Sequence, residues 1–244
     1  MNLIIEQGNT KIKAAIVENG EIKVLKITDN GDYSEIDALM ADYKPVRGIM
    51  SSVVKIDFSL IERLRKQLKQ FILLDGKTPL PIAIDYNTVD TLGKDRIAAA
   101  VGAAFMKPDV NLLIIDAGTA VTFDIVEASG RFIGGNISPG MNMRFKALNH
   151  YTAGLPSVSP KDDVPFIGNS TESAISAGVV NGMIFEIDGY IDTVKQKYKD
   201  GILVFLTGGD AKYFENRIKN CTFAGENPMI IGLNRILKHN AKDY

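Results

Sequence analysis

Two related stretches decide the fold of this chain: LIIEQGNT at residues 3–10 and LIIDAGTA at residues 113–120. They superimpose at an offset of 110 residues, and the register continues without a gap until Gly20 falls on Gly130. A register of about 20 residues that keeps an apolar run, an acidic residue and two glycines indicates an internal duplication.

Each copy has the pattern of a β-hairpin followed by a third strand. An apolar run typical of a buried strand leads to an acid and a glycine turn, and a second β-rich run follows. The dipeptides Asn19-Gly20 and Ser129-Gly130 then provide hairpin turn chemistry. We therefore predict two related, hairpin-led α/β units, residues 1–110 and 111–244.

The rest of the chain predicts alternating strands and helices. Strands are expected at 11–18, 48–54, 71–74, 82–84, 121–128 and 202–206. Helices are expected at 33–43, 58–70, 98–105, 170–198 (with a break near Gly178 or Gly182) and 229–239. The glycine-rich stretch 134–140 predicts a tight loop, and 151–164 a mobile one. This alternation implies an α/β fold of two lobes with ligand bound in the cleft between them.

Composition and charge exclude several classes of protein. The 244 residues suffice for two lobes of ~100–130 residues each. Hydrophobic residues make up 45% and charged residues 23%, as in ordinary globular proteins. The formal net charge of −1 lacks the basic excess of a nucleic-acid or membrane surface, so we expect neither partner.

The cysteine and histidine content points to a reduced, cytoplasmic protein. Cys221 is the chain's one cysteine and cannot form an intramolecular disulfide. His150 and His239 are too few and too far apart to indicate a zinc site. The N-terminal apolar run reaches Glu6 too early for a signal peptide, and no run approaches the ~20 residues of a membrane helix.

The repeated turns have the chemistry of a phosphate site. A strand that ends in glycine lets the backbone approach a ligand closely, and its N–H groups suit phosphate oxygens. Hydroxyls of Thr10 and Thr119 add donors, and the acids Glu6 and Asp116 suggest a divalent cation. Either turn alone is better explained by ordinary turn chemistry, and it is the pair in register that favours a nucleotide.

Three further motifs carry chemistry. In Gly93-Lys94-Asp95-Arg96, Asp95 is a candidate general base and Arg96 a candidate ligand for a substrate carboxylate. A surface ion pair with Asp95 capping a helix is the structural alternative. Thr207-Gly208-Gly209-Asp210 suits the adenosine part of a nucleotide, and Thr171 lies at a predicted helix N-terminus that favours anions.

Together these residues resemble the type III pantothenate kinases, of the acetate and sugar kinase, Hsp70 and actin superfamily. The resemblance runs from the first strand to the last helix and rests on six motifs in the family's order. They are Glu6-x-Gly8-Asn9-Thr10; Tyr86 with Leu92-Gly93-x-Asp95-Arg96; Asp116-x-Gly118-Thr119-Ala120-x-Thr122-x-Asp124; Gly134-Gly135-x-Ile137-x-Pro139-Gly140; Gly168-x-Ser170-Thr171; and Thr207-Gly208-Gly209-Asp210.

The resemblance implies a two-lobed actin-like ATPase (ribonuclease H-like) fold and ATP-dependent phosphorylation of pantothenate, the first step towards coenzyme A. Asp95 is then the base, Asp116 binds a monovalent cation (potassium or ammonium) beside magnesium, and the protein is a homodimer. ATP is bound by Glu6, Gln7, Gly8, Asn9, Thr10, Lys11, Ile12, Lys13 and Thr119. Pantothenate is bound by Tyr86, Gly93, Lys94, Asp95, Arg96 and Thr171. The sequence departs from the family in Glu6, where aspartate is usual, and Val89, where proline is usual.

Two other functions remain open from the sequence. One is a kinase of the same superfamily acting on another hydroxy acid or sugar, because only the motifs from Tyr86 to Arg96 and at Thr171 speak for pantothenate. The other is a non-catalytic accessory factor for transcription on the same fold, which the intact set of acidic and glycine motifs disfavours.

Overall fold

The chain divides into two compact units. The computed structural model describes residues 1–199, 201–220 and 227–241, so Cys221 lies outside the described residues. Unit 1 comprises Met1–Asp109, Glu127–Ile133 and 227–241, and unit 2 comprises Val110–Val126, 134–199 and 201–220. Among the described helices, none has the length and apolar character needed to span a membrane.

Strands and helices alternate through both units. The strands are β1 Asn2–Gln7, β2 Lys11–Glu18, β3 Glu21–Asp29, β4 Arg47–Ser52, β5 Gln70–Leu73, β6 Ala83–Ile84, β7 Asn111–Ala117, β8 Ala120–Glu127, β9 Arg131–Pro139 and β10 Ile202–Thr207. The helices are α1 Ser34–Tyr43, α2 Phe58–Gln67, α3 Lys94–Met106, α4 Met141–Tyr151, α5 Thr171–Lys197, α6 Ala211–Glu215 and α7 Pro228–His239, and a 3₁₀ turn covers Val89–Thr91.

Unit 1 is built around β1, the middle strand of a sheet with the order β3-β2-β1-β4-β5. The strand is antiparallel to β2 and parallel to β4. Side chains of Leu3 and Ile5 pack into a core with α1 and α2. On the opposite face Asn2 Nδ2 donates to Asn234 Oδ1 of α7 at 2.9 Å. Because successive side chains of a strand alternate between faces, β1 supplies apolar residues to both layers.

Unit 2 repeats this plan around β7. The second sheet has the order β10-β7-β8-β9-β6, with β7 parallel to β10 and antiparallel to β8. Leu113 and Ile115 of β7 face a core that includes residues of α4, α5 and α6. Within unit 1, the short β6 pairs with Arg131 and Phe132 at the beginning of β9.

The two hairpins differ by one residue in their pairing, although their sequences align without a gap. Three residues connect β1 to β2, whereas two connect β7 to β8. In consequence Glu6 lies opposite Lys13, but Asp116 lies opposite Thr122. The duplication predicted from the sequence is confirmed at the level of strand order, and the turns themselves are not equivalent.

Two predictions about secondary structure are wrong. The stretch 134–140, expected to be a loop, instead supplies most of β9. Hydrogen bonding to the neighbouring strand β8 stabilises the extended conformation despite the two glycines. Helix α5 is continuous, since Gly178 and Gly182 lie in open space and each costs a helix only about 1 kcal/mol. Helix α4 was not predicted at all.

Helices α3 and α7 pack unusually closely in unit 1. A Cβ on Gly102 of α3 would lie 1.8 Å from the carbonyl oxygen of Pro228, and a Cβ on Gly232 of α7 would lie 1.8 Å from that of Ala98. The two backbones therefore touch directly at a pair of glycines, and this contact fixes α3 and the motif at its N-terminus.

Gly102→Ala should lower the free energy of unfolding by about 1–3 kcal/mol, because the added methyl group forces the helices apart. Gly182→Ala in α5 is the matched control: nothing lies within 4 Å of its Cβ position, so it should be neutral or gain up to ~1 kcal/mol. Urea denaturation of both variants measures this, and equal midpoints would contradict the close packing.

Candidate active site

The two repeated glycine turns are called phosphate turns after the ligand predicted for them. The first, residues 8–10, connects β1 and β2 in unit 1, and the second, residues 118–119, connects β7 and β8 in unit 2. The first turn is closed by Gly8 N–H donating to Lys11 O at 2.9 Å. Glu6 and Lys13 are directly opposite on the two strands, so their side chains share a face, and Glu6 Oε2 lies 3.3 Å from Lys13 Nζ. The Glu6 side chain is only 8% exposed and that of Lys13 25%, so this ion pair is largely shielded from water.

Burial raises the pKa of Glu6 above its ordinary value. The Lys13 ammonium opposes this rise by attraction and by a hydrogen bond, and the negative charge of Asp95 adds to it. Strand alternation places Glu6 on the face of the sheet opposite Leu3 and Ile5, which is the face covered by α7 and by α3 packed against it. Asp95 belongs to α3, so the two carboxylates lie on the same side of the sheet.

Asp95 is the second residue of α3 and lies two residues after Gly93. Its Oδ1 accepts a hydrogen bond from Arg96 N–H at 2.9 Å. A Cβ on Gly93 would come within 2.4 Å of the same oxygen, so glycine is needed there for the carboxylate to take this position. The N-cap residue of α3 is Gly93, which has no side chain to form a capping hydrogen bond. Asp95 is therefore not the N-cap residue that the structural alternative had proposed.

Arg96 is nearly buried and lies against two aromatic rings. Its guanidinium carbon is 5.7 Å from the centre of the Tyr86 ring and 5.8 Å from that of Phe132. Asp85 N–H donates to Phe132 O at 2.8 Å, which anchors the segment that carries Tyr86 to β9. The role of Phe132 was not predicted from the sequence, because an apolar residue in a strand indicates only a core position.

In unit 2, three glycine turns meet around Asp116. A Cβ on Gly208 would lie 2.5 Å from Asp116 Oδ1, and one on Gly140 would lie 2.1 Å from Gly118 O. Gly140 N–H donates to Thr119 O at 3.1 Å. The motifs around residues 134–140 and 207–210 therefore both pack against the second phosphate turn. The sequence does not predict this contact, because the motifs are far apart along the chain.

The end of β10 is joined to the same turn. Asp210 N–H donates to Ala117 O at 2.8 Å, and burial raises the pKa of the half-buried Asp210 carboxyl. Thr171 begins α5, as predicted, after a capping box formed by Ser170 and Ser173. Thr171 itself is exposed at this helix N-terminus.

The described residues place the candidates in two sets. Unit 1 groups Glu6, Lys13 and Asp95, with Tyr86 and Arg96 beside Phe132, whereas unit 2 groups Asp116 and Thr119. The side chains of Gln7 and Ile12 are buried in unit 1. Over the described part of the chain, no three His, Cys, Asp or Glu side chains converge on a metal position.

Comparison with solved structures identifies the fold. A Campylobacter jejuni protein described as a candidate Baf family transcriptional activator aligns over 98% of both chains, with a TM-score of 0.61 at 22% sequence identity. Glucokinase from an Antarctic psychrotroph aligns over 98% of this chain and 99% of its own, with a TM-score of 0.55 at 10% identity. These likenesses, with a hairpin-led sheet in each unit, define an actin-like ATPase fold.

The family follows from sequence comparison. The model of the type III pantothenate kinases matches residues 2–193. The type III pantothenate kinase of Phocaeicola vulgatus is 46% identical over 242 residues, which cover 99% of this chain and 100% of that relative. The chain belongs to the type III pantothenate kinase family, a family of phosphotransferases.

Lys13→Gln should destabilise unit 1 by about 1–3 kcal/mol at pH 8, because it leaves the Glu6 carboxylate buried without its cation. The pKa of Glu6 then rises further above its unfolded value. The folded state retains a proton that the unfolded state loses, so stability falls as pH rises between the two pKa values. The variant should therefore lose less stability at pH 5 than at pH 8.

Lys11→Gln is the control for this pH dependence. Lys11 pairs with Asp29 at 2.6 Å, but both side chains are more than half exposed. Thermal unfolding at the two pH values should distinguish the variants. A deficit for Lys13→Gln that is equal at pH 5 and pH 8 would argue against the buried pair.

Proposed function

We propose that this chain transfers the γ-phosphoryl group of ATP to the 4′-hydroxyl of pantothenate, the first step towards coenzyme A. Family membership supports the reaction. The observation that carries it to particular residues is the carboxylate of Asp95, which is held in the first turn of α3 by a hydrogen bond from Arg96 N–H.

ATP is bound by the segment Glu6–Lys13 and by Thr119. Main-chain N–H groups of glycine turns, together with the exposed hydroxyls of Thr10 and Thr119, suit phosphate oxygens. Magnesium is usually held by one or two carboxylates plus the phosphates of the nucleotide, so a large cluster of acids is not required. Glu6 and Asp116 are the acids of the two turns, and Glu6 would hold the ion only by giving up its ion pair with Lys13. The ion would neutralise charge on the phosphates.

A monovalent cation, potassium or ammonium, would be held at Asp116. The carboxylate lies at the end of β7 near the carbonyl of Ala117, and oxygen donors of these kinds suit such ions. Gly208 supports this assignment, because any side chain there would fill the space beside Asp116 Oδ1. The ion would balance negative charge near the nucleotide.

Asp95 acts as the general base. It accepts the proton of the attacking hydroxyl while the new oxygen–phosphorus bond forms and ADP leaves. Its hydrogen bond from Arg96 N–H fixes the carboxylate at the helix start, where it can meet the substrate. Positioning and charge neutralisation contribute the rest of the rate.

Pantothenate is bound by Tyr86, by the turn from Gly93 to Arg96 and by Thr171. The guanidinium of Arg96 suits the substrate carboxylate, since it can donate two parallel hydrogen bonds. The Tyr86 and Phe132 rings beside it restrict its orientation. Thr171, exposed at the start of α5, adds a hydroxyl donor.

A coupled ADP-release assay tests this function. The wild-type chain should phosphorylate pantothenate far faster than a panel of sugars and hydroxy acids, and faster with potassium than with sodium. Asp95→Asn should lose about 10²–10⁴-fold in kcat, because the amide cannot take the proton, while ATP affinity and melting temperature stay near wild type.

Two results would overturn parts of this assignment. Faster turnover of another panel member would refute pantothenate as the substrate. Near-normal turnover by Asp95→Asn, with the fold intact by circular dichroism, would refute the base.

We also propose that the chain acts as a homodimer in the cytoplasm, where ATP is available. An apolar surface on unit 2 supports association. Phe166, Ile167 and Phe185 are 74%, 77% and 60% exposed. The two phenylalanine rings pack edge to face, with their centres 6.5 Å apart. Exposed apolar clusters of this kind mark interaction surfaces more often than isolated residues do.

Phe185→Ser should shift the protein from dimer to monomer in size-exclusion chromatography with light scattering. Phe58→Ser is the control, because Phe58 is 71% exposed at the beginning of α2 in unit 1. A monomeric wild type, or equal dimer fractions in both variants, would refute the role of this surface.

A further inference from the structure

The carbonyl groups of the first phosphate turn are all bonded to one residue, Asn30, which follows β3. Asn30 Nδ2 donates to Gly8 O at 3.2 Å and to Asn9 O at 3.3 Å. Its backbone N–H donates to Thr10 O at 2.9 Å. Asn30 thus reaches every peptide carbonyl between Gly8 and Thr10, although 20 or more residues separate them along the chain.

The orientation of the Asn30 amide is itself fixed. Gln7 Nε2 donates to Asn30 Oδ1 at 2.7 Å, and Ser52 Oγ donates to Gln7 Oε1 at 3.0 Å. Gln7 is 3% exposed, so the side chain that orients the Asn30 amide is itself held within the protein. With its oxygen occupied by Gln7, the amide of Asn30 directs both N–H donors to the turn, which has two carbonyls for them.

Fixing the carbonyls also fixes the N–H groups. In a planar trans peptide the C=O and the following N–H point in opposite directions. When the carbonyls of Gly8 and Asn9 are held by Asn30, the N–H groups of Asn9 and Thr10 are turned away from it. N–H groups that point away from the protein support are the donors that a phosphate-binding turn needs.

The second turn is stabilised differently. In unit 2 the shorter turn is held by main-chain donors, since Gly140 N–H bonds Thr119 O and Asp210 N–H bonds Ala117 O. The longer turn of unit 1 instead has a side-chain amide bonded to its carbonyls. A side chain acting in this way is open to substitution, which makes its role testable.

We infer that Asn30, oriented by Gln7, is a positioning residue that holds the Gly8–Thr10 turn in its phosphate-binding conformation. The inference rests on the proposed function, since it takes the ligand of this turn to be ATP. Asn30 touches neither nucleotide nor substrate in this role, and it acts through the backbone.

Asn30→Ala should weaken ATP binding about tenfold by isothermal titration calorimetry, as expected for the loss of one or two preorganising hydrogen bonds. The KM for pantothenate should change little. Asn181→Ala is the matched control: Asn181 Nδ2 also donates to two carbonyls, those of Pro165 and Phe166 in unit 2. It should lower the melting temperature comparably without changing ATP affinity.

A second variant covers the case in which Asn30→Ala does not fold. Gln7→Met leaves Asn30 in place but removes the bond that orients its amide, and it should weaken ATP binding about threefold. The double variant should lose less affinity than the two single losses combined, because both act through one chain of bonds.

The outcomes separate this inference from the proposed function. Unchanged ATP affinity in folded Asn30→Ala or in Gln7→Met, with only a lower melting temperature, would overturn the positioning role. A wild-type chain that binds no ATP would instead refute the proposed function, and the inference with it.

Discussion

The double burial of β1 is the constraint on which the site of unit 1 depends. A strand covered on both faces must alternate its side chains between two helical layers, so neighbouring residues at its end enter different surroundings. Glu6 goes to the layer of α3, where it meets Lys13 and the charge of Asp95. Gln7 goes to the opposite face and bonds Asn30 and Ser52. One strand end therefore carries both the charge of the site and the support of its turn.

The two phosphate turns show how duplicated sequences diverge in physical terms. One extra residue in the first turn shifts the ladder, so Glu6 lies opposite a lysine while Asp116 lies opposite a threonine. The second turn, being shorter, is enclosed by glycine backbones that leave no room for side chains. Equivalent positions thus make different contacts, and the acid of the first turn is compensated by the ammonium group of Lys13.

Sequence reasoning identified what depends on local pattern and missed what depends on distant contacts. The repeated run of Leu-Ile-Ile, acid and glycine predicted both hairpins. The helix predicted at 98–105 is present, but it begins at Lys94, four residues earlier than expected. The strand at Gly134 was missed because its glycines are tolerated only where β8 pairs with it. Asn30 and Phe132 belong to no motif, and only the fold brings them to their partners.

The glycine contact between α3 and α7 connects stability with chemistry in unit 1. A helix can present a carboxylate accurately only if its own position is fixed, and α3 is fixed by direct backbone contact at Gly102 and Gly232. Such contact tolerates almost no displacement, because interiors are close-packed and cannot absorb an added methyl group cheaply. Helix α7, which lies more than 130 residues after Asp95 in the sequence, therefore helps to fix the helix that carries this carboxylate.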